Sequence, residues 1–533
     1  MSRHNSQSHL PRQLYTAQQV RALDQLIIEQ LPITSLKLMR RASSVVFSVI
    51  CQRWPQLRRL VIFTGAGNNG GDGYYIAALA ATEGIKVQVL ECAEPERLSD
   101  DAASARMEAL AAGVPCRPCD VLLELLSAQL PQDTVLVDAI LGTGFRGPLR
   151  ASHEPVIEWM NGAGLPVVAV DIPSGVNCDT GHVGSIAVQA SMTVCLVGLK
   201  QGLFTGKAPN HTGEIVFHDL GMPESVKRSA QARTPASTRL DVNAVSGCLS
   251  PRPATVHKGL CGNVLVVGGD LGYGGAALMA AEAAARAGAG TVALLTRSQH
   301  VAAALTRRPE IMVRGVDEPD GHGSEQILAL MQKAQAIVLG PGLGNSNWSH
   351  SLLRQVLEFA GSHVPVVLDA DALNLLAEYA ALGDELDFAM PAGSSQWVLT
   401  PHPGEAARLL GSAVAIVEAD RFAAALALQS RWGGAVVLKG AGSVLCTQEA
   451  GADSASLEVC TEGNPGMASG GMGDVLAGLI GGLIAQGLSP ALALRCGVCI
   501  HGEAADNAVE ESGERGLLAT DLMLPIQRQV NRL

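Results

Sequence analysis

Aromatic residues make up 3% of this 533-residue chain, and its 38 Lys and Arg are outnumbered by 50 Asp and Glu. The net charge of −12 argues against a broad surface for nucleic acid or an anionic membrane, since both need clustered cations. It leaves a nucleotide ligand open, because backbone amides and a few local lysines can hold phosphates. No apolar run reaches membrane-spanning length without Gly, Pro or charge breaking it. Residues 1–12 lack the apolar stretch of a secretory signal, so a frayed tail over residues 1–13 and a cytoplasmic location are expected. The twelve cysteines show no disulfide rhythm, which fits a reducing compartment. Two C-x-x-C spacings, Cys116/Cys119 and Cys496/Cys499, lie in different halves of the chain. They are read as small buried residues rather than a zinc site.

What the chain does have is 47% hydrophobic residues and 59 glycines, the balance of an Ala/Val/Leu/Gly-rich α/β enzyme. Its length is too great for one ordinary core. Candidate strands at Leu60–Thr64, Lys86–Glu91, Thr134–Asp138, Pro166–Asp171, Met192–Val197 and Glu214–His218 alternate with helical patterns such as Tyr74–Glu83 and Asp101–Ala112. That alternation predicts a Rossmann-like, doubly wound parallel sheet, with helices Ala17–Gln30 and Ser35–Arg53 packed on it. The sequence then turns polar, giving a first domain at 14–225, a linker at 226–240 and a second domain at 241–533. A new alternating series begins at Asn263–Val267 and runs through Gly290–Leu295, Ala336–Leu339, Val364–Asp369, Gln396–Thr400, Ala435–Lys439 and Ser443–Thr447.

The run from Gly463 to Asp474 holds five glycines, ends in a carboxylate and leads into the apolar stretch Val475–Ile484. Glycines let backbone N–H groups approach a ligand, and a helix N-terminus adds partial positive charge. This predicts a phosphate cradle, with Asp474 beside the anion as a candidate general base. Other candidate strands of the second half end in Gly340-Pro341-Gly342-Leu343-Gly344, Asp369-Ala370-Asp371, Thr400-Pro401-His402-Pro403-Gly404-Glu405 and Lys439-Gly440-Ala441-Gly442-Ser443. Ligands bind at the carboxyl ends of parallel strands. Lys439 with Gly440–Ser443 suits a nucleotide phosphate, while Gly342 and His402 suit the walls of a second substrate. Asp369 and Asp371 are either structural or able to assist a magnesium ion.

In the first half, Leu60–Thr64 runs into Gly65-Ala66-Gly67-Asn68-Asn69-Gly70-Gly71-Asp72. The G-x-G-x-x-G spacing fits a dinucleotide turn, but paired asparagines and a carboxylate do not. Asn side chains suit a hydroxylated ligand or a monovalent cation. Asp138 leads into Gly142-Thr143-Gly144-Phe145-Arg146-Gly147-Pro148, and Asp171 into Ile172-Pro173-Ser174-Gly175.

Together these three motifs resemble the NAD(P)H-hydrate epimerase family over roughly residues 14–222. The resemblance implies K⁺ held by groups including Asn69, Asp138 and Ser174. It also implies a hydrated dinucleotide touching Asn68, Asn69, Gly70, Gly71, Asp72, Gly142–Pro148 and Asp171, with Asp171 as acid/base. One departure is Met39-Arg40-Arg41-Ala42-Ser43, where that family tends to read Met-Glu-x-Ala-Gly. It lies outside the three motifs and is expected to touch helix packing or subunit contacts rather than chemistry.

From about Pro253 onward, His257-Lys258-Gly259, Gly272-Tyr273-Gly274-Gly275-Ala276 and the loops above resemble the ADP/ATP-dependent NAD(P)H-hydrate dehydratases of the ribokinase-like fold. Leu260 is a minor departure, where an acidic residue often stands. This resemblance implies that Ala276, Gly342, His402 and Asp474 contact the hydrated dinucleotide. Lys439, Gly440, Ala441, Gly442, Ser443 and Gly473 would contact the adenine nucleotide. The combined expectation is an enzyme that interconverts R- and S-NADHX and NADPHX and dehydrates the S-form with ADP, releasing AMP and phosphate. Mg²⁺ in the second domain and a homo-oligomeric assembly are expected with it. The rival readings are a ribokinase-like vitamin or sugar kinase fused to a nucleotide-binding regulatory domain, and a non-catalytic nucleotide sensor.

Overall fold

The computed structural model describes residues 9–119, 130–361, 363–382, 396–448 and 454–532. The chain divides into two units, Met1–Thr238 and Arg239–Leu533. Residues 1–8 of the expected tail lie outside the described residues. Of the rest of that tail, Leu10 is buried and Gln13 opens strand β1 (Gln13–Tyr15).

Helices Ala17–Gln30 and Ser35–Arg53 follow at the expected bounds. The Thr16 and Thr34 hydroxyls accept from the N–H groups of Gln19 and Lys37, the local bonds that start such helices. Then come β2 (Arg59–Thr64), β3 (Lys86–Glu91), β4 (Cys116–Pro118), β5 (Thr134–Ala139), β6 (Val167–Val170), β7 (Met192–Leu196), β8 (Leu199–Lys200), β9 (Glu214–His218) and β10 (Ser237–Leu240). Seven form a parallel sheet in the order β4-β3-β2-β5-β6-β7-β9. The winding reverses between β2 and β5, so a crevice opens beyond their carboxyl ends. Strand β5 is buried throughout, as a central parallel strand covered on both faces must be.

Two sequence expectations change here. The helix expected from Tyr74 begins six residues earlier, with Asn68–Asp72 forming the first turn of helix Asn68–Thr82. Gly67 is its N-cap and offers no side-chain bond, which leaves first-turn N–H groups for a ligand. Residues 226–240, expected to be a linker, carry parts of helix Glu224–Lys227, helix Ala230–Arg233 and β10. Val226 and Ala232 are buried, and the Tyr15 hydroxyl donates to the Ala232 carbonyl at 2.7 Å. With Leu240, Val226 and Ala232 make three buried apolar residues among many polar ones, too sparse to register as a period.

The second unit contains β11 (Asn263–Val267), β12 (Thr291–Thr296), β13 (Met312–Gly315), β14 (Ala336–Leu339), β15 (Val366–Leu368), β16 (Trp397–Leu399), β17 (Ala435–Leu438), β18 (Ser443–Thr447) and β19 (Ser456–Cys460). The order β13-β12-β11-β14-β15-β16-β17 is parallel throughout, and β18 and β19 continue it antiparallel. Here the winding reverses between β11 and β14. Alternate residues feed two cores: Val264 and Val266 join one, Leu265 and Val267 the other. The short, half-exposed β13 and β19 were not anticipated, since neither shows a strong alternating run.

Helix Met472–Ala485 is apolar on nearly every side because it lies between the sheet and helix Gly274–Arg286. Its glycines set that distance. A Cβ at Gly478 would lie 2.0 Å from the Ala280 carbonyl oxygen, and one at Gly482 would lie 2.6 Å from that of Ala284. A Gly→Ala change in an open helix gains about 1 kcal/mol of propensity. Overpacking against backbone costs about 1–3 kcal/mol and sometimes more. Gly478→Ala is therefore expected to lower the thermal unfolding midpoint of the second unit. Gly162→Ala, at a helix end with open space around it, is expected to leave the midpoint unchanged or raise it slightly.

Candidate active sites

At the first switch point, a cleft of about 570 Å³ is lined by Asn68, Asn69, Asp72, Gly142, Thr143, Gly144, Phe145, Arg146, Pro148 and Asp171, among others. Gly70, Gly71 and Gly147 are not part of the lining. A Cβ at Gly70 would lie 2.0 Å from the Gly65 carbonyl oxygen, and one at Gly71 would lie 2.6 Å from Met39 Sδ. These two glycines let the helix sit tightly on its neighbours. Gly147 takes a left-handed turn, with φ 78°.

Asp171 follows β6 with φ 67°, a left-handed conformation rare for a side-chain-bearing residue. Its Oδ1 accepts from the Leu196 N–H at 3.1 Å and from the Lys200 ammonium. Lys200 is fully buried and also donates to the Leu196 carbonyl at 2.9 Å. Burial alone would lower its pKa. The charge of Asp171, helped by Cys195 and Asp24, reverses this and raises it. Asp24, on helix Ala17–Gln30, lines the same cleft. Burial pushes its carboxyl up to about 7, with Lys200 pulling down and Asp171 pushing up. Burial likewise holds Asp72 well above the usual carboxylate range, against the lowering effect of a Ser43 hydrogen bond. The Ser43 hydroxyl reaches Asp72 Oδ1 at 3.1 Å, and Met39 and Ala42 line the cleft. The Met39–Ser43 departure thus reaches the site after all, because its helix forms one wall.

Behind the cleft, Asp138 is fully buried. It accepts from Ser174 Oγ at 2.6 Å, from Ser174 N at 2.7 Å and from Ile140 N at 3.2 Å. Burial raises its pKa to about 6 against those bonds. Asn69 Nδ2 donates to the Leu141 carbonyl at 3.1 Å, and Ser174 Oγ accepts from Leu141 N at 2.9 Å. The sequence-predicted trio therefore converges on the Ile140–Leu141 segment. Its donors are oxygens, and a buried carboxylate bonded only to neutral groups suits a small cation.

In the second unit, Asp474 stands in the first turn of helix Met472–Ala485, whose N-cap Gly471 has φ 92°. Burial, then Asp369, raises its pKa to about 7 while Lys439 pulls it down. Lys439 Nζ donates to Asp369 Oδ1 at 2.8 Å, and Thr400 Oγ1 donates to the same oxygen at 2.7 Å. A Cβ at Gly473 would lie 3.1 Å from Lys439 Nζ. Lys439, Asp369, Gly473, Asp474 and Glu405 therefore form one cluster, and Lys439 serves as its counter-ion. Burial raises Glu405 to about 7, Lys439 opposing.

His402 caps helix Pro403–Leu410. Its Nδ1 accepts from Gly404 N at 2.9 Å, while its backbone N–H donates to Glu405 Oε2 at 2.7 Å. Burial and the nearby cations Lys439 and Arg408 lower its pKa, so it is the neutral imidazole that caps. Gly342 (φ 57°) and Ala276 meet, with a Gly342 Cβ placed 3.1 Å from Ala276 Cβ. Asp371 Oδ2 accepts from Gly344 N at 2.8 Å. Ser443 Oγ donates to the Gly440 carbonyl at 3.1 Å, closing the turn through Ala441 and Gly442.

Several functional neighbours went unnoticed in the sequence. Lys200 is a lone charge in the apolar run Val194–Phe204, and Asp24 lies on the apolar stripe of Val20, Leu23 and Ile27. Both patterns are visible in retrospect. Arg421 is buried and donates to the Leu438 and Lys439 carbonyls at 3.0 Å, supporting the Lys439–Ser443 turn. Asp506 accepts from Gly463 N at 2.7 Å and Asn464 Nδ2 at 2.8 Å, pinning the start of the glycine run. Neither could be paired with its partner from sequence.

Two doubly wound α/β units, each gathering carboxylates around a lysine at strand ends, define a two-site nucleotide-handling enzyme. Residues 264–528 match the family model of NAD(P)H-hydrate dehydratase, and residues 35–202 that of the YjeF-related protein N-terminus. The bifunctional NAD(P)H-hydrate repair enzyme Nnr of Coxiella burnetii is 44% identical, over 97% of this chain and 99% of its own length. That of Escherichia coli is 40% identical, over 98% and 95%. A solved ADP/ATP-dependent NAD(P)H-hydrate dehydratase of Bacillus subtilis, co-crystallised with ATP/Mg²⁺, is 26% identical, covers 55% of this chain and 98% of its own, and has a TM-score of 0.46. The chain belongs to the bifunctional NAD(P)H-hydrate repair enzymes. It is an enzyme with an epimerase domain followed by a dehydratase domain, and it repairs hydrated NAD(P)H.

Removing one partner of a buried ion pair costs about 3–5 kcal/mol. Because Asp171 keeps 17% side-chain exposure, Lys200→Met is expected near the low end, roughly 3 kcal/mol. Urea unfolding of the first unit, with hydrogen exchange in its sheet as the local readout, measures this. Exposed Lys86→Met is the control, expected within about 0.5 kcal/mol of the parent.

Proposed function

We propose that Asp171 is the acid/base of the epimerase site and Asp474 the general base of the dehydratase site. The observation that carries this is shared by both units: a carboxylate at a strand or helix end beside a lysine ammonium, fully buried in the first unit and 21% exposed in the second. In the first cleft, Asp171 moves a proton at the C6 carbinolamine of the hydrated nicotinamide. Asn68, Asp72 and Gly142–Phe145 border the ligand. In the second site, Asp474 takes the proton of the S-form C6 hydroxyl as that oxygen attacks the terminal phosphorus of ADP. AMP leaves, and loss of phosphate from C6 together with a proton from C5 then restores the C5–C6 double bond of the reduced nicotinamide. Hydroxide is a poor leaving group and phosphate a good one, which is the reason for coupling to a nucleotide.

Asn69, Asp138 and Ser174 would hold K⁺, and their oxygen donors and the buried charge of Asp138 support the fit. The ion would offset that charge and stiffen the Leu141–Pro148 turn. Asp369 and Asp371 would hold Mg²⁺ through one or two carboxylates together with the nucleotide phosphates, as that ion prefers. When bound, it supplies charge neutralisation for the transferring phosphoryl group. Lys439 and Gly473 border the nucleotide, and Arg421 keeps the Lys439–Ser443 turn in shape. Both NADHX and NADPHX are substrates in this reading, with assembly into a homo-oligomer in the cytoplasm. Among the described residues no helix is long and apolar enough to cross a membrane, and all twelve cysteines are free.

Racemic NADPHX mixed with the chain, K⁺, Mg²⁺ and ADP should regain its full reduced-nicotinamide absorbance. A stable phosphorylated product without that recovery would favour a small-molecule kinase instead. Asp171→Ala should slow recovery of the R-half by about 10²-fold or more while S-form dehydration proceeds at the parent rate. For Asp474 the sign follows from its role. A base must be ionised, and the raised pKa leaves it protonated below about 7. kcat/KM for S-NADPHX should therefore fall towards tenfold per pH unit below neutrality. Asp474→Asn should abolish dehydration at every pH, and residual activity within tenfold of the parent would rule out the assignment.

A further inference from the structure

The first cleft holds more acid than one acid/base residue needs. Asp24, Asp72 and Asp171 all line it, yet Lys200 is the fully buried cation among them. Asp171 takes the ion pair with Lys200. Asp72 takes the Ser43 hydroxyl. Among the described residues none donates a hydrogen bond to Asp24. It stands on the inward stripe of helix Ala17–Gln30, one turn from buried Val20 and beside buried Leu23, where an apolar residue would pack better. A carboxyl kept at such a place against the charge of its neighbours is held there for its proton.

Epimerising a carbinolamine needs two proton carriers. In ring opening, the C6 hydroxyl gives its proton to a base and the C6–O bond becomes a carbonyl. The C6–N1 electron pair moves to N1, which takes a proton from an acid. Rotation about C5–C6 presents the other carbonyl face. Reclosure then returns each proton to its donor and makes the C6–N1 bond again, so nothing is oxidised or reduced. One residue cannot stand on both sides of the breaking bond at once. Asp171, paired with the Lys200 ammonium, fills the role of base.

We propose that Asp24 is the second proton carrier of the epimerase site, giving its proton to the nicotinamide ring nitrogen as Asp171 takes the hydroxyl proton. This rests on the epimerase reading above. Burial raises the Asp24 carboxyl to about 7, the range that suits a group giving and regaining a proton. The groups facing it are Asp72 from helix Asn68–Thr82, Asp171 beyond β6 and Lys200 in β8, with Arg21 from its own helix also on the cleft.

The test uses the full chain with K⁺, Mg²⁺ and ADP, following R- and S-NADPHX separately across pH. Asp24→Asn should lower the R-epimer rate by about 10²-fold or more. The parent's decline in that rate above about pH 7, where Asp24 loses its proton, should vanish in the variant. S-epimer dehydration, carried by the second unit, is the internal reference. An R-epimer rate within threefold of the parent overturns the proposal. So does a lower rate with the alkaline limb intact, the mark of a packing role. Should Asp24→Asn unfold the first unit, Asp24→Glu must restore both the rate and the limb, and its failure to do so overturns the proposal equally. A parent chain that leaves R-NADPHX unused would instead sink the epimerase reading itself.

Discussion

Both sites depend on a lysine ammonium placed among more carboxylates than it can neutralise. Lys200 is buried beside Asp171, with Asp24 and Asp72 near. Lys439 is paired with Asp369, with Glu405 and Asp474 near. Isolated buried charges are too costly to persist. The excess negative charge therefore appears as carboxyls that keep their protons near neutrality: Asp24 in one unit, Glu405 and Asp474 in the other. Groups poised between two protonation states are what proton transfer requires. The lysines make this stable. Remove either, and its cluster loses the cation paired with its central carboxylate.

Backbone geometry holds these clusters in place. Asp171 carries a left-handed φ at the end of β6, and Ala370 does the same between Asp369 and Asp371. Such conformations persist only where the surroundings over-determine them. Around Asp171 the bonds from Leu196 and Lys200 do so. Beside Ala370 the restraints come from Thr400 and Lys439 on Asp369 and from Gly344 on Asp371. The glycines divide into two kinds. Gly65, Gly70 and Gly478 leave no room for a Cβ because another backbone lies against them, while Gly67 faces open space at a helix start. Of these, only Gly67 has the open surroundings that the phosphate-cradle argument assigns to a ligand-facing glycine.

Much of the scaffold was legible from local pattern. Continuous Val/Leu/Ile runs bounded by Gly and Asp marked nearly all the central strands, since a parallel strand covered on both faces must be apolar at every position. Asp138, Asp171, Asp369 and Lys439 were read as site residues because each stops such a run. The edge strands β4 and β13 escaped because an edge has no second neighbour and needs no apolar run, and β19 because only its last three residues are buried. The polar stretch at 226–240 hid two short helices for a related reason: Val226 and Ala232 are too few to show a period.

The sequence alone determined the doubly wound class of each unit, the carboxyl-end loops that carry chemistry and, through its motifs, the pairing of epimerase with dehydratase. Those properties follow from residue types at short range. Tertiary structure alone decided that Lys200 neutralises Asp171, that Asp24 enters the cleft and Ser43 reaches Asp72 from helices preceding the first long strand, and that Arg421 and Asp506 hold the turns around Lys439 and Gly463. Such partners lie tens of residues apart in the chain. What couples them is charge in a low-dielectric interior, which depends on distance through space and leaves no period in the sequence.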